Sequence, residues 1–260
     1  MIPENFIEAW RVHAKWQNAP QVEQDLVICK ALVDLYNEPH IQNELVFRGG
    51  TALNKLFIKP AARYSEDIDF VQKRPQPIGK TIDILRELLK PWLGNPEWKI
   101  TQRSAKLVYK YEAINKIPAK LKIEINTTEH LQVLPLRVEP FSFYSEWFHG
   151  DANILTYEID ELIATKLRAV YQRRKGRDLF DLWYVLTHNL VNLEQVIDVF
   201  NKYCTNDGIK VSGKEFKRNL NLKKQNKDFQ SDMNLLLPLG VNWNFDEAFT
   251  YILENIPQVL

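Results

Sequence analysis

The chain has 260 residues, 45% of them hydrophobic and 26% charged, with 34 basic and 33 acidic side chains and a net charge of +1. That is ordinary globular composition with room for one large domain or two modest ones, and a sizeable core rather than disorder is the default reading. The charge balance excludes attraction to nucleic acid through overall charge, so any such role must rest on local clusters of basic residues.

The two cysteines, Cys29 and Cys204, lie in apolar helical contexts without metal-ligand spacing. They read as buried, reduced thiols, which fits a cytoplasmic protein. The N-terminus carries no signal-peptide pattern, no apolar run approaches the ~20 residues that span a bilayer, and no membrane partner is expected. The five histidines are scattered and imply no zinc site.

In chain order, Val22 to Tyr36 reads as an amphipathic helix, with Val22, Leu26, Val33 and Tyr36 near helical spacing. Leu45-Val46-Phe47 reads as a short buried strand that stops at Gly49-Gly50, after which Thr51 is placed to cap a helix from Ala52 to Phe57. Asp67 to Val71 alternates polar and apolar residues, a second strand, and Ile78 to Leu89 reads as a helix stopped near Pro91. Three strand-like stretches follow, Trp98 to Thr101, Leu107 to Tyr111 and Leu121 to Ile125. Pro135, Pro140 and the aromatic run Phe141 to Phe148 read as a surface connection. Glu158 to Arg174 and Leu179 to Leu186 are helical, and the polar, lysine-rich stretch Lys210 to Lys227 interrupts the helices that continue to the end. The expected organisation is a sheet-containing domain at 1–150 and a helical domain at 151–260 that supplies basic residues to the site.

Three groups of residues carry chemistry. In Arg48-Gly49-Gly50-Thr51, glycines permit positive φ and close approach of a ligand to the main chain, and a helix start presents N–H groups to phosphate oxygens. In Asp67-Ile68-Asp69, residues two apart on a strand face the same way, so two carboxylates project together. Like charges so close call for a positive partner, and Mg²⁺ (or Mn²⁺) suits oxygen ligands that also meet substrate phosphates. Plain structure offers alternatives for both, a Gly-Gly turn and salt bridges to Arg63 or Lys73.

Glu124 lies on the polar face of the strand around Leu121, Ile123 and Ile125, and completes a carboxylate triad if that strand neighbours Asp67 and Asp69. Three acids can hold two metals, one activating an attacking hydroxyl and one stabilising the pyrophosphate leaving group. On the later helix, Lys166 and Arg173 are seven residues apart, about two turns, and Arg177 extends the row. Such a row suits phosphates of a nucleotide or a nucleic acid. Gly176 reads as the helix end, Asp178 as the next N-cap and Asp181 as N3.

Phe47-Arg48-Gly49-Gly50-Thr51-Ala52-Leu53-Asn54-Lys55-Leu56 and Arg63-Tyr64-Ser65-Glu66-Asp67-Ile68-Asp69-Phe70 resemble the AbiEii/AbiGii-type nucleotidyltransferase toxin family. So do Leu162 to Ala169 and Arg173 to Leu182, in the same order along the chain. The resemblance implies an α+β fold of the DNA polymerase β type, a mixed sheet flanked by helices, with a mainly helical C-terminal domain. It implies the toxin half of a bacterial toxin–antitoxin pair, often linked to phage defence, and hence a cognate antitoxin. It assigns Gly50, Thr51, Asp67 and Asp69 to nucleotide and metal, and makes Lys166 and either Asp178 or Asp181 functional. Glu124 fits the third-acid position of the wider superfamily, and Gly-Gly-Thr replaces a Gly-Ser form while keeping a hydroxyl.

The expected activity is transfer of a nucleoside monophosphate from an NTP to a hydroxyl, by resemblance on the 3′ end of tRNA or on a protein side chain. Two other functions fit some of the residues: a metal-dependent nuclease, and a non-catalytic RNA- or antitoxin-binding module on the same scaffold. The nuclease leaves the Gly-Gly-Thr loop without a role, and intact Asp67, Asp69 and Lys166 argue against a retired scaffold.

Overall fold

Long-range pairing of the short apolar runs builds the first half of the molecule. The computed structural model describes residues 2–260. The chain divides into two units, residues up to His130 with Leu136–Tyr157, and Leu131–Pro135 with Glu158–Leu260.

The first unit opens with α1 (Glu4–Trp10), α2 (Ala19–Tyr36) and α3 (Pro39–Glu44). β1 (Leu45–Arg48) runs into α4 (Gly49–Ala52), which continues as a π-helical turn over Leu53–Phe57. β2 (Asp67–Gln72), α5 (Gly79–Leu93), β3 (Glu97–Ile100), β4 (Ser104–Ala113), β5 (Ile117–Asn126), β6 (Arg137–Tyr144) and β7 (His149–Thr156) complete it. Among the described residues the strands form one mixed sheet in the order β3-β4-β5-β2-β1-β7-β6. β1 lies inside the sheet, and Leu45, Val46 and Phe47 are all buried, as in a strand covered on both faces. β2 alternates, burying Ile68 and Phe70 while Asp67 and Asp69 stay half-buried on the other face. Phe70 meets Phe47 at 5.7 Å between ring centroids, and burying each such ring stabilises by about 1.5–3 kcal/mol.

Helix α2 starts at Asn18, whose side chain accepts from Gln21 N, and it is buried on most of its surface. Its Asp25 gathers the Trp10 and Trp16 indole N–H groups at 3.0 and 3.2 Å and the Lys55 ammonium at 2.7 Å. Lys55 belongs to the π-helical turn, so this network anchors the helix that begins at Gly49. Cys29 beside it is buried, and desolvation pushes its thiol up to about 12. It is therefore an inert core residue at neutral pH.

The second unit consists of α6 (Ile159–Gln172), α7 (Gly176–Thr187), α8 (Leu193–Asn206), α9 (Gly213–Lys224), α10 (Lys227–Ser231) and α11 (Phe245–Asn255). The short segment Leu131–Pro135 belongs here because the buried Glu161 carboxylate accepts from Val133 N at 2.8 Å and Leu134 N at 2.7 Å. Tyr203 donates to the same carboxylate at 2.8 Å. Lys223 of α9 donates to the Val170 and Tyr171 carbonyls, satisfying acceptors that a helix end leaves open. Burial, with Arg174 nearby, pushes that ammonium down to about 8. Among the described residues no helix is long and apolar enough to cross a membrane.

Several elements depart from the sequence expectations. Phe141 to Phe148 is no surface connection between domains: Phe141 to Tyr144 end β6 and the remaining four residues turn into β7, which joins the sheet beside β1. Pro140 concealed it, since proline lacks a ladder donor, but β6 is an edge strand where that donor is dispensable. Helix α4 starts at Gly49 with no side-chain cap, so Thr51 is not the N-cap. Pro91 sits inside α5, close enough to the end that the helix runs on to Leu93. The lysine-rich stretch contains α9, begun by a Ser212–Glu215 capping box and held by buried Phe216 and Leu220. Gly176 opens α7 instead of closing α6, Lys175 is the N-cap, and Asp178 takes the N3 position.

Candidate active site

In the first unit, register sets the site. Arg48 of β1 stands opposite Asp69, and parallel β5 places Lys122 opposite Asp67 and Glu124 opposite Asp69. Antiparallel β4 adds Lys106 opposite Glu124. All these side chains therefore share one sheet face, whose other side is closed by Ile68, Ile123 and Ile125.

The glycine loop is fitted to this face. Gly49 has φ +82°, and a Cβ there would stand 2.8 Å from the Asp69 Oδ2 atom. Only glycine lets the main chain and that carboxylate approach so closely. A Cβ on Gly50 would stand 2.2 Å from Nη2 of Arg63, which is buried and donates to Tyr64 O at 3.0 Å and Ser65 Oγ at 3.1 Å. Thr51 is buried and its hydroxyl donates to the Asp67 carbonyl, so it ties the helix start to the head of β2. The first-turn N–H groups of the helix have no carbonyl partner within it, the condition under which a helix start binds anionic oxygens.

Gly49→Ala is accordingly expected to cost about 1–3 kcal/mol in urea unfolding, from backbone strain and the displaced carboxylate. Activity should fall further than the folded fraction does. Gly79→Ala, where a Cβ meets nothing within 4 Å, is the control and should change stability by less than about 0.5 kcal/mol. Equal behaviour of the two variants would refute the close-approach role.

The charges on the face are strongly coupled. Lys122 Nζ lies 2.8 Å from Asp67 Oδ2 and 3.4 Å from Glu124 Oε2, while Lys106 Nζ lies 3.0 Å from Glu124 Oε1. Desolvation alone would lower the Lys122 ammonium, but the bond to Asp67 and the charges of Asp67, Asp69 and Glu124 outweigh it and raise it. Desolvation would likewise raise Glu124, but the two lysines outweigh it and hold the carboxyl below its ordinary value. Arg48 pairs with Glu129 at 2.7 Å. Among the described residues no three His, Cys, Asp or Glu side chains converge as a ready metal-ligand group. As donors, Asp67 and Asp69 fit a hard divalent cation, since both present carboxylate oxygens on one face beside a phosphate-type loop.

The second unit carries a separate buried cluster. Lys166 Nζ lies 3.1 Å from Asp178 Oδ1 and 3.0 Å from Asp181 Oδ2. Arg173 is not helical; it turns back and forks onto Asp178 at 2.7 and 2.9 Å. Burial would raise the Asp178 carboxyl, but Lys166 and Arg173 outweigh it and hold it far below the carboxylate range. Both aspartates thus serve the same lysine. Arg177 points elsewhere, pairing with Asp232, and Gly176 lets the Phe229 carbonyl approach to 2.2 Å of where a Cβ would be.

The family model for the nucleotidyl transferase AbiEii toxin of type IV toxin–antitoxin systems matches residues 30–251. The chain belongs to that family. The AbiEii-type resemblance of its motifs is thereby confirmed, and membership makes the protein a nucleotidyltransferase toxin, with an NTP substrate and a cognate antitoxin implied. Among solved structures, it resembles the nucleotidyltransferase toxin MenT4 from Mycobacterium tuberculosis, at 16% identity and TM-score 0.73 over 100% of this chain and 90% of that one. JHP933 from Helicobacter pylori is similar at 20% identity and TM-score 0.59, over 92% and 91% of the two chains. A putative nucleotidyltransferase from H. pylori matches with the same identity and TM-score, over 92% and 94%. These likenesses support the fold expected from the sequence, a mixed sheet flanked by helices with a helical C-terminal part. A comparison with curated proteins gives no match.

Sequence reasoning passed over Lys122, Lys106, Glu129 and the buried Arg63 as parts of the site. For Lys122 the signal was present: it lies two residues before Glu124 on an alternating strand, hence on the same face.

Proposed function

We propose that this AbiEii-family protein transfers a nucleoside monophosphate from an NTP to a hydroxyl of RNA, the 3′ end of tRNA, or of a protein side chain, with Mg²⁺ or Mn²⁺ held by Asp67 and Asp69. The observation that carries the reading is the close approach of the Gly49 main chain to the Asp69 carboxylate, with no room for a Cβ between them, which sets a phosphate-type loop beside the acidic strand. The backbone N–H groups of the Gly49-Gly50-Thr51 turn receive triphosphate oxygens, and Thr51 keeps the turn fixed on β2 through its bond to the Asp67 carbonyl. Asp67 and Asp69 would hold the divalent ion, which would supply positive charge to offset the negative charge developing on the departing pyrophosphate. In the reaction the acceptor oxygen bonds to the α-phosphorus, the bond from that phosphorus to pyrophosphate breaks, and the acceptor proton leaves to a base. Glu124 holds Lys106 and Lys122 in position on the same face. In the helical unit, Lys166 with Asp178 and Asp181 forms the second functional element, as the family resemblance implies.

The test is label transfer from each α-labelled NTP, with Mg²⁺, to total cellular RNA and protein, beside an Asp67→Ala/Asp69→Ala variant. Label on RNA or protein that vanishes in the variant is expected. RNA shortening would favour the nuclease, and RNA binding without chemistry would favour a non-catalytic module; either overturns the proposal.

A further inference from the structure

The acidic face already contains a cation of its own. Asp67, Asp69 and Glu124 bring three negative charges to adjacent strand positions, and Lys122 sits among them, bonded at 2.8 Å to one carboxylate and 3.4 Å from another. That ammonium takes an Asp67 oxygen that a divalent ion would need. Lys106 lies on the outer side and engages Glu124 alone among these acids. Lys122 is about a third exposed, so its flexible stem has room to move while its backbone stays fixed between β2 and β4. A structural ion pair on a strand face would show the same distances; what sets this one apart is that Asp67 shares its face with Asp69, the carboxylate that the glycine loop approaches, and with Glu124.

We propose that Lys122 is a resident counter-cation that competes with the divalent metal for Asp67, so that metal binds the free protein weakly and binds tightly only together with a nucleoside triphosphate. This rests on the metal assignment of the preceding reading. The triphosphate couples the two events because its phosphates offer the displaced ammonium an anionic partner while also ligating the ion. The consequence is a safeguard: without nucleotide the carboxylates stay neutralised and the face stays ordered, and the complete site assembles when both ligands are present.

The experiment measures Mn²⁺ binding by electron paramagnetic resonance, with and without a non-hydrolysable NTP analogue, for the wild type, Lys122→Met and Lys122→Arg. In the absence of nucleotide, Lys122→Met should bind Mn²⁺ at least about tenfold more tightly than wild type, equivalent to about 1.4 kcal/mol. Lys122→Arg, which keeps the charge, should stay as weak as wild type. The analogue should tighten Mn²⁺ binding strongly in the wild type and far less in Lys122→Met. Circular dichroism confirms that each variant is folded, and Lys122→Gln replaces Lys122→Met if the latter is not. Equal or weaker Mn²⁺ binding by the neutral variant would overturn the inference alone. No Mn²⁺ binding by any of the proteins, with or without nucleotide, would overturn the metal assignment and this inference with it.

Discussion

Asp178→Ala is expected to cost the helical unit about 3–5 kcal/mol, enough to unfold much of it under conditions where the wild type is intact. Asp178 is fully buried and carries two cations, Lys166 at 3.1 Å and the forked Arg173 at 2.7 and 2.9 Å. Removing it leaves a buried ammonium with only Asp181 and strips Arg173 of a bidentate partner, and this uncompensated charge is the main cost. It also removes a carboxylate from the third residue of α7, where it favours the helix start. Asp178→Asn, which keeps an acceptor of the same shape, should lose less.

The pH dependence follows from the direction of the shift. A carboxyl held below its unfolded value contributes stability that is fully present above the ordinary pKa near ~3.9 and is lost as pH falls towards the depressed folded value. The stability gap between wild type and Asp178→Ala should therefore be widest at neutral pH and narrow below about pH 4. Urea unfolding at several pH values reads both effects, and a variant as stable as wild type at pH 7 would show that the cluster is not what holds the α6–α7 corner.

The second large effect is on activity. Asp69→Asn should lower the transfer rate by about 10²–10³-fold, the loss of a few kcal/mol of transition-state stabilisation when a metal-orienting carboxylate becomes neutral. Its melting temperature should stay within a few degrees of wild type, because the repulsion relieved among Asp67, Asp69 and Glu124 is offset by the attraction to Lys122 that is lost. Glu124→Gln should cost much less, on the order of tenfold, since that carboxylate holds Lys106 and Lys122 instead of a metal in this reading. Single-turnover rates with a labelled NTP separate the two, and equal losses for both variants would make Glu124 a third metal ligand, as its sequence position first suggested.

Lys223 shows how far the helical unit depends on contacts that no local pattern announces. It lies in a stretch whose composition reads as a solvated interruption, yet its ammonium is buried against the last carbonyls of α6. The adjacent residues then turn so that Arg173 reaches Asp178.

The sequence by itself determined which residues could share a face. Alternation on a strand puts Asp67 beside Asp69 and Lys122 beside Glu124, whatever the rest of the chain does. Two consecutive glycines before an apolar helical run mark a turn, and the order of these motifs carries the family. Local periodicity does not say which strand lies next to which, because pairing is decided by burial over long separations in the chain. Only the tertiary structure set β5 parallel to β2 with Glu124 opposite Asp69, and brought the β6–β7 hairpin into the sheet despite Pro140. It alone put both Asp178 and Asp181 on Lys166, since a buried charge must find its partners wherever the packing brings them. And it alone decided that the Gly49 turn closes on the Asp69 carboxylate, which brings the glycine loop and the acidic strand together.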